Sequence, residues 1–383
     1  MVICGIDTLD GFSANEKKLR WGLVTNEVAL TESGERSRVH LMKTGFHLIR
    51  LFSPEHGLYA IGADGEKQLD GRDVITGLPI TSLYGEKMAP EAQDLSDLDA
   101  ILFDIPDVGC RFYTYLWTLT LFMEACAREQ KKLIVLDRPN PIGGDLELAE
   151  GPLLDEIKCN SFIGRWPIPV RHSCTIGELA AYFRSTRLPG LDLQVIPIQN
   201  WNRLNTAVEA GWPFLPTSPA IRDLETAILY PGTGLLEGVF INEGRGTERP
   251  FTQLGAPWID GSLLAKVFSQ LGLSGVQAYA ITYIPNSGIY AGETCGGIQF
   301  QVTDARIFHP VKMGVEIIRL LCHLYPEQLI ERNYYTAANP AGTKHLDKLL
   351  GVPDAFNRLK TGEEFSTDIA ADWKKEIADF LIY

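Results

Sequence analysis

Hydrophobic residues in the first half of the chain fall into short, nearly continuous runs, and stretches with helical spacing separate these runs. Such runs are typical of parallel strands covered on both faces, because both sides of each strand are then buried. They predict strands at 2–6, 21–26, 48–54, 100–104, 133–137 and 193–198. The helical spacing predicts helices over 13–20, 33–45 and 115–130. The alternation of strand and helix favours a doubly wound, Rossmann-like sheet.

A further helix has a clear beginning in the segment HSCTIGELAAYFR, residues 172–184. Thr175 is a natural N-cap, and Glu178 three residues later completes a capping box. The segment therefore predicts a helix that begins directly after Thr175 and continues through Phe183.

The second half of the chain has a different pattern. It predicts a proline-rich loop at 211–223, helices at 222–229, 260–271 and 310–324, and strands near 279–284 and 296–303. Strand and helix do not alternate cleanly here, which indicates an α+β arrangement. We therefore predict an α/β protein with two parts. A Rossmann-like, mostly parallel sheet domain occupies 1–198, and a smaller α+β C-terminal domain at 199–383 completes the cleft.

Net charge and hydropathy narrow the range of partners. The 383 residues include 35 basic and 48 acidic side chains, which gives a formal net charge of −13. A protein that binds nucleic acid or an anionic membrane needs a basic surface to displace counterions, so neither partner is expected. No apolar run reaches the roughly 18 residues of a membrane span, and membrane insertion is not expected either. No signal peptide is visible, so the sequence as it stands predicts a cytoplasmic protein, and an exported one if a leader was removed.

The common sequence motifs for metal and cofactor binding are absent or incomplete in this chain. The seven cysteines include no CxxC pair, which argues against a structural zinc site. GTGLLEG at 232–238 has its third glycine one place too late for a dinucleotide fingerprint. Walker A, HExxH and G-x-S-x-G motifs do not occur. We therefore expect no cofactor and no metal.

Polar residues follow the predicted parallel strands at their carboxyl ends. These residues are Asn26, Glu55, His56, Asp104, Asp137, Arg138 and Asn140. Ligands of open α/β sheets bind at this edge, so the series predicts a binding site there. A single acid at a strand end is equally consistent with an N-cap of the next helix.

Glu55 lies in the segment FSPEHG, directly after a predicted buried strand. Pro54 favours an extended Ser53, and Gly57 allows the chain to bend. A glutamate in such a half-apolar turn tends towards a raised pKa, because desolvation disfavours its charged form. Glu55 is therefore a candidate general acid. The alternative is a solvated glutamate in a surface turn.

Two further segments are dense in polar groups. DVGCRFYTY at 107–115 places Arg111 and Tyr113 close to Asp104, and aromatic rings beside polar donors are how proteins hold sugar rings. The glycine-rich segment 235–251 carries Glu237, Glu243, Arg245 and Thr247. Such a loop is costly to order unless it binds something, and arginines grip carboxylates or phosphates bidentately. The alternatives are core tyrosines and a solvated turn of paired charges.

Several motifs together resemble one family. FSPEHG, DIPDVGCRFYTY, LDRPNPIGG, IPVRHSCTIGELA, EGRGTERPF and GAPW occur in this order along nearly the whole chain. They look like the NamZ-type exo-β-N-acetylmuramidases. The resemblance implies a glycoside hydrolase that releases N-acetylmuramic acid from the non-reducing end of peptidoglycan fragments. It also implies that Glu55, the glutamate of PEHG, is the catalytic residue.

A glycosidase needs a proton donor and usually a second carboxylate. Glu55 is the expected donor, and Glu243, Asp104 and Glu237, in that order, are candidates for the second role. Arg138, Arg171 and Arg245 are candidates for binding the lactyl carboxylate of muramic acid. The full set of expected substrate-binding residues is Asn26, His56, Arg111, Tyr113, Asp137, Arg138, Asn140, Arg171, His172, Glu237, Arg245 and Thr247.

Two other functions stay open at this point. One is a non-catalytic protein that binds cell-wall sugars, which the altered family segments INEGRGT and TSPA keep possible. The other is a metal-dependent hydrolase built on Glu55, His56, Asp104 and His172. The sequence predicts neither the oligomeric state nor the stereochemical course of hydrolysis.

Overall fold

The computed structural model describes residues 2–364 and 366–383, and a seven-stranded sheet forms the first part. Its strands are β1 Trp21–Thr25, β2 Leu48–Ser53, β3 Gly71–Arg72, β4 Pro79–Ser82, β5 Ala100–Asp104, β6 Lys132–Leu136 and β7 Leu193–Ile196. Their spatial order is β3-β4-β2-β1-β5-β6-β7, and only β3 runs antiparallel to its neighbour. The predicted α/β, Rossmann-like sheet is confirmed.

The central strand β1 pairs with β2 on one side and β5 on the other, so the connections reverse direction across it. Leu23 packs into a hydrophobic cluster on one face of the sheet, and its neighbour Val24 packs into the cluster on the other face. Burial on both faces is why the strands read as continuous apolar runs rather than as alternating ones.

Helices cover the sheet and build most of the second part. They are α1 Ala14–Lys17, α2 Ser37–Lys43, α3 Ala92–Leu95, α4 Tyr115–Arg128, α5 Ile176–Thr186, α6 Leu224–Thr233, α7 Gly261–Gln270, α8 Pro310–Leu324, α9 His345–Leu350, α10 Ala355–Lys360 and α11 Ala370–Ile377. The capping box predicted at the start of α5 is present, because Thr175 and Glu178 bind each other's backbone N–H groups. No helix in the described ranges is long and apolar enough to cross a membrane.

The second part contains a three-stranded antiparallel sheet in the order β8-β10-β9. Its strands are β8 Gln253–Ala256, β9 Val276–Tyr283 and β10 Cys295–Val302. This sheet and the helices around it confirm the smaller α+β part. The exact boundary at residue 198 stays a prediction.

The C-terminal segment returns to the first part of the molecule. The indole N–H of Trp373 in α11 donates to the carbonyl oxygen of His172 at 2.8 Å. The hydroxyl of Tyr383 donates to Oδ2 of Asp137 at 2.7 Å and accepts from the backbone N–H of Ile198 at 2.8 Å. The carboxyl end of β6 is therefore covered by the last residues of the described chain.

The strand predicted at residues 2–6 is wrong. Ile3 makes only an isolated bridge with Gln199, and Gly5–Asp7 form a 3₁₀ turn. Gly5 crosses so close to the end of β7 that a Cβ there would lie 2.6 Å from the carbonyl oxygen of Ile196. A short apolar run signals burial, and here the buried element is a turn.

Candidate active site

Glu55 lies in a tight turn directly after β2. Its neighbours His56 and Gly57 both have positive φ, at 67° and 73°, so the turn bends sharply back on itself. A left-handed histidine is a strained conformation, of a kind that clusters at functional sites. The turn buries Glu55 until only 5% of its surface is exposed.

Two hydrogen bonds hold the Glu55 carboxyl group. Thr114, at the start of α4, donates to Oε2 at 2.7 Å, and the backbone N–H of Gly65 donates to Oε1 at 3.2 Å. Burial raises the pKa of Glu55, and the negative charge of Asp64 raises it further, while His56 and Thr114 act in the opposite direction. The environment therefore shifts Glu55 towards its protonated form, in the direction expected from the sequence.

A pocket opens over Glu55 and is lined by residues from both parts of the molecule. It includes about 630 Å³ of space between protein atoms, part of it open to solvent. Aromatic residues dominate the wall: Tyr84, Phe112, Tyr113, Tyr230, Phe251 and Tyr334. The titratable residues on its surface include Glu55, His56, Asp64, Glu237, Arg245 and His345.

Asp64 is the second carboxylate close to Glu55. The peptide that joins it to Gly65 donates its N–H to Glu55, so one loop carries both contacts. Burial opposes the charge of Asp64, but Arg245, 3.4 Å away, and the hydroxyl of Tyr334, which donates to Oδ2, outweigh it and lower the pKa. Asp64 is therefore held in its ionised form.

Arg245 stands among carboxylates from three segments. Its guanidinium donates to Glu237 at 2.8 Å and lies 3.1 Å from Glu243 and 3.4 Å from Asp64. The ring of Phe251 lies 4.9 Å below it. The charged residues of the segment 235–251 thus pair with one another inside the molecule, rather than in the solvated turn that was the alternative to a binding loop.

Glycines allow the tight path of this segment. Gly244 and Gly246 have φ of 85° and 78°. A Cβ on Gly244 would lie 2.3 Å from the carbonyl oxygen of Arg249, and one on Gly246 equally close to that of Ser287. Thr247 closes the turn by donating to the carbonyl oxygen of Gly244 at 2.7 Å. Arg245 is therefore aimed into the pocket by a backbone that only glycine permits.

Glu237 and Glu243 differ in position although both contact Arg245. Glu237 lines the pocket, whereas Glu243 does not. Burial raises the pKa of Glu237 to about 7, because Arg245 only partly offsets burial and the neighbouring charges of Asp64 and Glu243. Near neutral pH Glu237 is therefore partly protonated.

The other predicted carboxylate, Asp104, is engaged elsewhere. Arg138 binds it bidentately at 2.5 and 2.9 Å and also donates to the carbonyl oxygen of Leu30. Arg138 lines a separate, more apolar cavity with Cys4 and Trp212. The structure does not bring Asp104 or Arg138 to the pocket with Glu55.

Two predicted arginines bind the backbone. Arg111 donates to the carbonyl oxygens of Pro152, Ile168 and Leu349. Arg171 donates to those of Phe308 and Ile142. Both guanidiniums are buried and tie segments of the two parts together, and neither lines the pocket.

Some of the remaining predicted residues are engaged away from the pocket, and others line it. Asp137 caps α5, accepting from Thr175 and from the N–H of Gly177, and Asn140 donates to the carbonyl oxygen of Cys174. His172 lies 3.3 Å from Asp107, and Asn26 is fully buried at the end of β1. Tyr113 and His56 do line the pocket; Tyr113 donates to Thr217 at 2.7 Å.

Comparison with known proteins places these features in a family. The model described as Exo-beta-N-acetylmuramidase NamZ, N-terminal, matches residues 21–225, and its C-terminal counterpart matches residues 228–382. The chain belongs to the NamZ exo-β-N-acetylmuramidase family. The family resemblance of the sequence motifs is thereby confirmed, and so is the expectation of an enzyme of the glycosidase class.

Individual relatives of the NamZ family agree with this assignment. Peptidoglycan beta-N-acetylmuramidase NamZ of Bacillus subtilis (strain 168) is 39% identical over 325 residues, which are 84% of this chain and 78% of that protein. Two crystal structures of DUF1343 family proteins from Bacteroides fragilis NCTC 9343 have TM-scores of 0.88 and 0.75, at 27% and 26% identity. Each comparison covers 100% of this chain and 99% of the other.

Sequence reasoning missed several residues of this NamZ-family pocket. They are Asp64, Tyr84, Thr114, Tyr334 and His345. Asp64 follows the FSPEHG turn by seven residues, and a polar loop after a candidate acid was a usable signal. Tyr334 and His345 lie in the last quarter of the chain, where no motif distinguishes them.

Proposed function

We propose that the protein is an exo-acting glycoside hydrolase that releases N-acetylmuramic acid from the non-reducing end of peptidoglycan fragments such as MurNAc–GlcNAc. Membership of the NamZ family and the activity for which the Bacillus subtilis relative is named support this substrate class. A pocket walled by aromatic rings suits the apolar faces of a pyranose ring, and its polar groups suit the hydroxyl and acetamido groups.

The observation that carries the chemical proposal is the opposite shift of two neighbouring carboxyl groups. Burial raises the pKa of Glu55, whereas Arg245 and Tyr334 lower that of Asp64. Two carboxyl groups whose environments separate their pKa values are how glycosidases keep one acid and one carboxylate at the same pH. Glu55 then donates its proton to the glycosidic oxygen as the bond to the leaving sugar breaks.

Asp64 takes the second role in this proposal. Its negative charge stabilises the positive charge that develops on the anomeric carbon and ring oxygen in an oxocarbenium-like transition state. The contacts to Arg245 and Tyr334 keep this carboxylate ionised and oriented. Glu243 and Asp104 are less suited to this role. Glu243 contacts Arg245 but does not line the pocket, and Asp104 is bound by Arg138.

The test is incubation with MurNAc–GlcNAc followed by product analysis. We expect free N-acetylmuramic acid and N-acetylglucosamine, and a large loss of turnover in Glu55→Gln. The exposed Glu327 provides the matched control, because Glu327→Gln makes the same substitution away from the pocket. Turnover of Glu55→Gln within twofold of the wild type would overturn the role of Glu55.

The same experiment addresses the two other functions. A sugar-binding protein binds the disaccharide and leaves it intact. A metal-dependent hydrolase loses activity with a chelator. Of the residues considered for a metal site, Asp104 and His172 are engaged with Arg138 and Asp107 and do not line the pocket with Glu55. Within the described ranges no group of three His, Cys, Asp or Glu side chains is arranged to hold a metal ion.

A further inference from the structure

His345 is a buried histidine on the wall of the pocket, at the start of α9. Only 3% of its surface is exposed, and the ring of Tyr334 packs edge-on against it at 4.9 Å. Its Nδ1 lies 3.2 Å from Nδ2 of Asn339. The chemistry that His345 can offer a ligand depends on which of its two ring nitrogens carries the proton.

The orientation of Asn339 decides this question. Lys348 donates a short hydrogen bond to Oδ1 of Asn339 and a second one, at 3.2 Å, to the carbonyl oxygen of Thr343. An ammonium group has donors and no acceptor, so the amide atom facing Lys348 must be the oxygen. The atom facing His345 is then the amide nitrogen, which only donates.

Because Asn339 donates to Nδ1, the imidazole of His345 is neutral and carries its proton on Nε2. Burial and the neighbouring positive charges also favour the neutral ring. Burial lowers the pKa of His345 to about 3, and Arg332 and Lys348 lower it while Asp64 raises it. The ring is therefore a neutral donor across the whole physiological pH range.

The Nε2–H group has no acceptor among the hydrogen bonds of the described residues. Three other side chains on the pocket wall already donate within the protein. Tyr113 donates to Thr217, Tyr334 to Asp64 and Arg245 to Glu237. A donor whose tautomer is fixed, and whose side chain lines the pocket, is suited to binding a ligand oxygen.

We propose that the Nε2–H group of His345 is a substrate-binding donor for an acceptor oxygen of the bound sugar, and that Asn339 and Lys348 act as positioning residues that hold His345 in the donating tautomer. The proposal rests on the proposed function, since it takes an N-acetylated sugar as the ligand. The acceptor is a carbonyl or carboxylate oxygen, which the acetamido group and the lactyl group of N-acetylmuramic acid each provide.

The first measurement reads the tautomer and does not depend on activity. In the wild-type protein, the ¹⁵N chemical shifts of His345 are expected to show a protonated Nε2 and an unprotonated Nδ1 at pH 7. Lys348→Met frees the amide of Asn339 to turn over, so both tautomers of His345 are then expected. A purely structural role of Lys348 would leave the tautomer unchanged. A protonated Nδ1 in the wild type overturns the proposal.

The second measurement reads the sugar contact. Calorimetric titration with N-acetylmuramic acid is expected to show about tenfold weaker binding in His345→Leu, the usual effect of losing one buried hydrogen bond. His345→Gln keeps an N–H donor and is expected to recover part of that loss. His323→Gln, at an exposed position of α8, is the control with unchanged affinity.

Titration with N-acetylglucosamine, which has no lactyl group, identifies the acceptor. An equal loss for both sugars assigns it to a group that the two sugars share, such as the acetamido group, and a loss confined to N-acetylmuramic acid assigns it to the lactyl carboxylate. Affinity of His345→Leu within twofold of the wild type for both sugars overturns the proposal. If the wild type binds these sugars through His345 but releases none from MurNAc–GlcNAc, the hydrolase function fails and the sugar contact stands.

Discussion

The hydroxyl of Thr114 donates a 2.7 Å hydrogen bond to Oε2 of Glu55. Thr114 precedes α4 and Glu55 follows β2, so the bond joins the first turn of a helix to the carboxyl end of a parallel strand. A hydrogen bond to a carboxylate oxygen stabilises the charged form. Thr114 thus moderates the rise in the pKa of Glu55 that burial causes.

Removal of this donor is expected to shift the pH dependence of activity. In Thr114→Val the charged form of Glu55 loses one bond, so the pKa of Glu55 rises and the general acid stays protonated to higher pH. The alkaline limb of kcat/KM should move upward by about one pH unit. The pH profile of MurNAc–GlcNAc hydrolysis measures this shift.

Thr118→Val is the matched control for Thr114→Val. Thr118 is a buried threonine of the same helix, and its hydroxyl bonds to the backbone oxygen of Thr114 rather than to Glu55. Its alkaline limb should stay in place. A limb that moves to lower pH in Thr114→Val would contradict the role assigned to this hydrogen bond.

Replacement of Asp64 distinguishes among the carboxylates proposed for the second role. Asp64→Asn keeps the shape of the side chain and removes its charge, so we expect a loss of kcat of roughly a hundred- to a thousandfold. Glu243→Gln should lose much less, because Glu243 does not reach the pocket surface. Steady-state kinetics on both variants, with the exposed Asp10→Asn as control, decide between them. Equal losses in the first two variants would argue against Asp64.

Stability should depend on pH through Glu237. Burial raises its folded-state pKa to about 7, from an ordinary value near 4.5. The folded state therefore binds the proton more tightly than the unfolded state, and the resulting stability is fully present below about pH 4.5 and is lost as the pH rises through 7. The unfolding free energy of the wild type minus that of Glu237→Gln should fall between pH 5 and pH 8.

Urea denaturation at the two pH values measures this difference. Other buried acids with raised pKa values, such as Glu150 and Asp137, occur in both proteins and cancel in the subtraction. Glu327→Gln, at an exposed position, should give a flat difference. A wild-type advantage that grows with pH would reverse the sign and contradict the raised pKa of Glu237.

The hydroxyl of Tyr383 should contribute to stability and not to chemistry. It bonds to Asp137 and to the N–H of Ile198, far from Glu55 in the fold. Tyr383→Phe leaves a buried carboxyl oxygen with one donor fewer, which should cost about 1–3 kcal/mol of unfolding free energy. Chemical denaturation measures the loss, and kcat should be unchanged. Tyr335→Phe, at an exposed ring, is the control. A fall in kcat for Tyr383→Phe would show that the Tyr383 hydroxyl is coupled to the candidate active site.

The sequence predicts the first sheet well because its strands are buried on both faces. Runs such as AILFD at 100–104 contain only buried residues, and an apolar run indicates burial. The short strands β3 and β4 were missed, since two to four residues at a sheet edge leave no periodic pattern. The strand expected at residues 2–6 failed for the opposite reason, because burial there comes with a turn.

The candidate site was only partly accessible from sequence. Glu55 is recognisable because its turn and its strand are contiguous in the chain. Asp64 is not, because its ionisation depends on Arg245 and on Tyr334, which lies 270 residues further along. Arg111 and Arg171 have the residue type that binds anions, but only the fold reveals that backbone carbonyls already occupy their guanidiniums.

Arg245 has a consequence for how this protein can change over evolutionary time. One guanidinium serves carboxylates from the loop after β2, from the 3₁₀-helix Gly234–Gly238 and from its own loop. Loss of the arginine leaves the buried carboxyl groups of Glu237 and Glu243 without their positive partner, and this penalises folding. Selection for a stable fold therefore acts on this position. New substrate preferences can arise more readily among the aromatic residues of the wall, where a substitution changes the ligand's surroundings without removing the tie between the two parts.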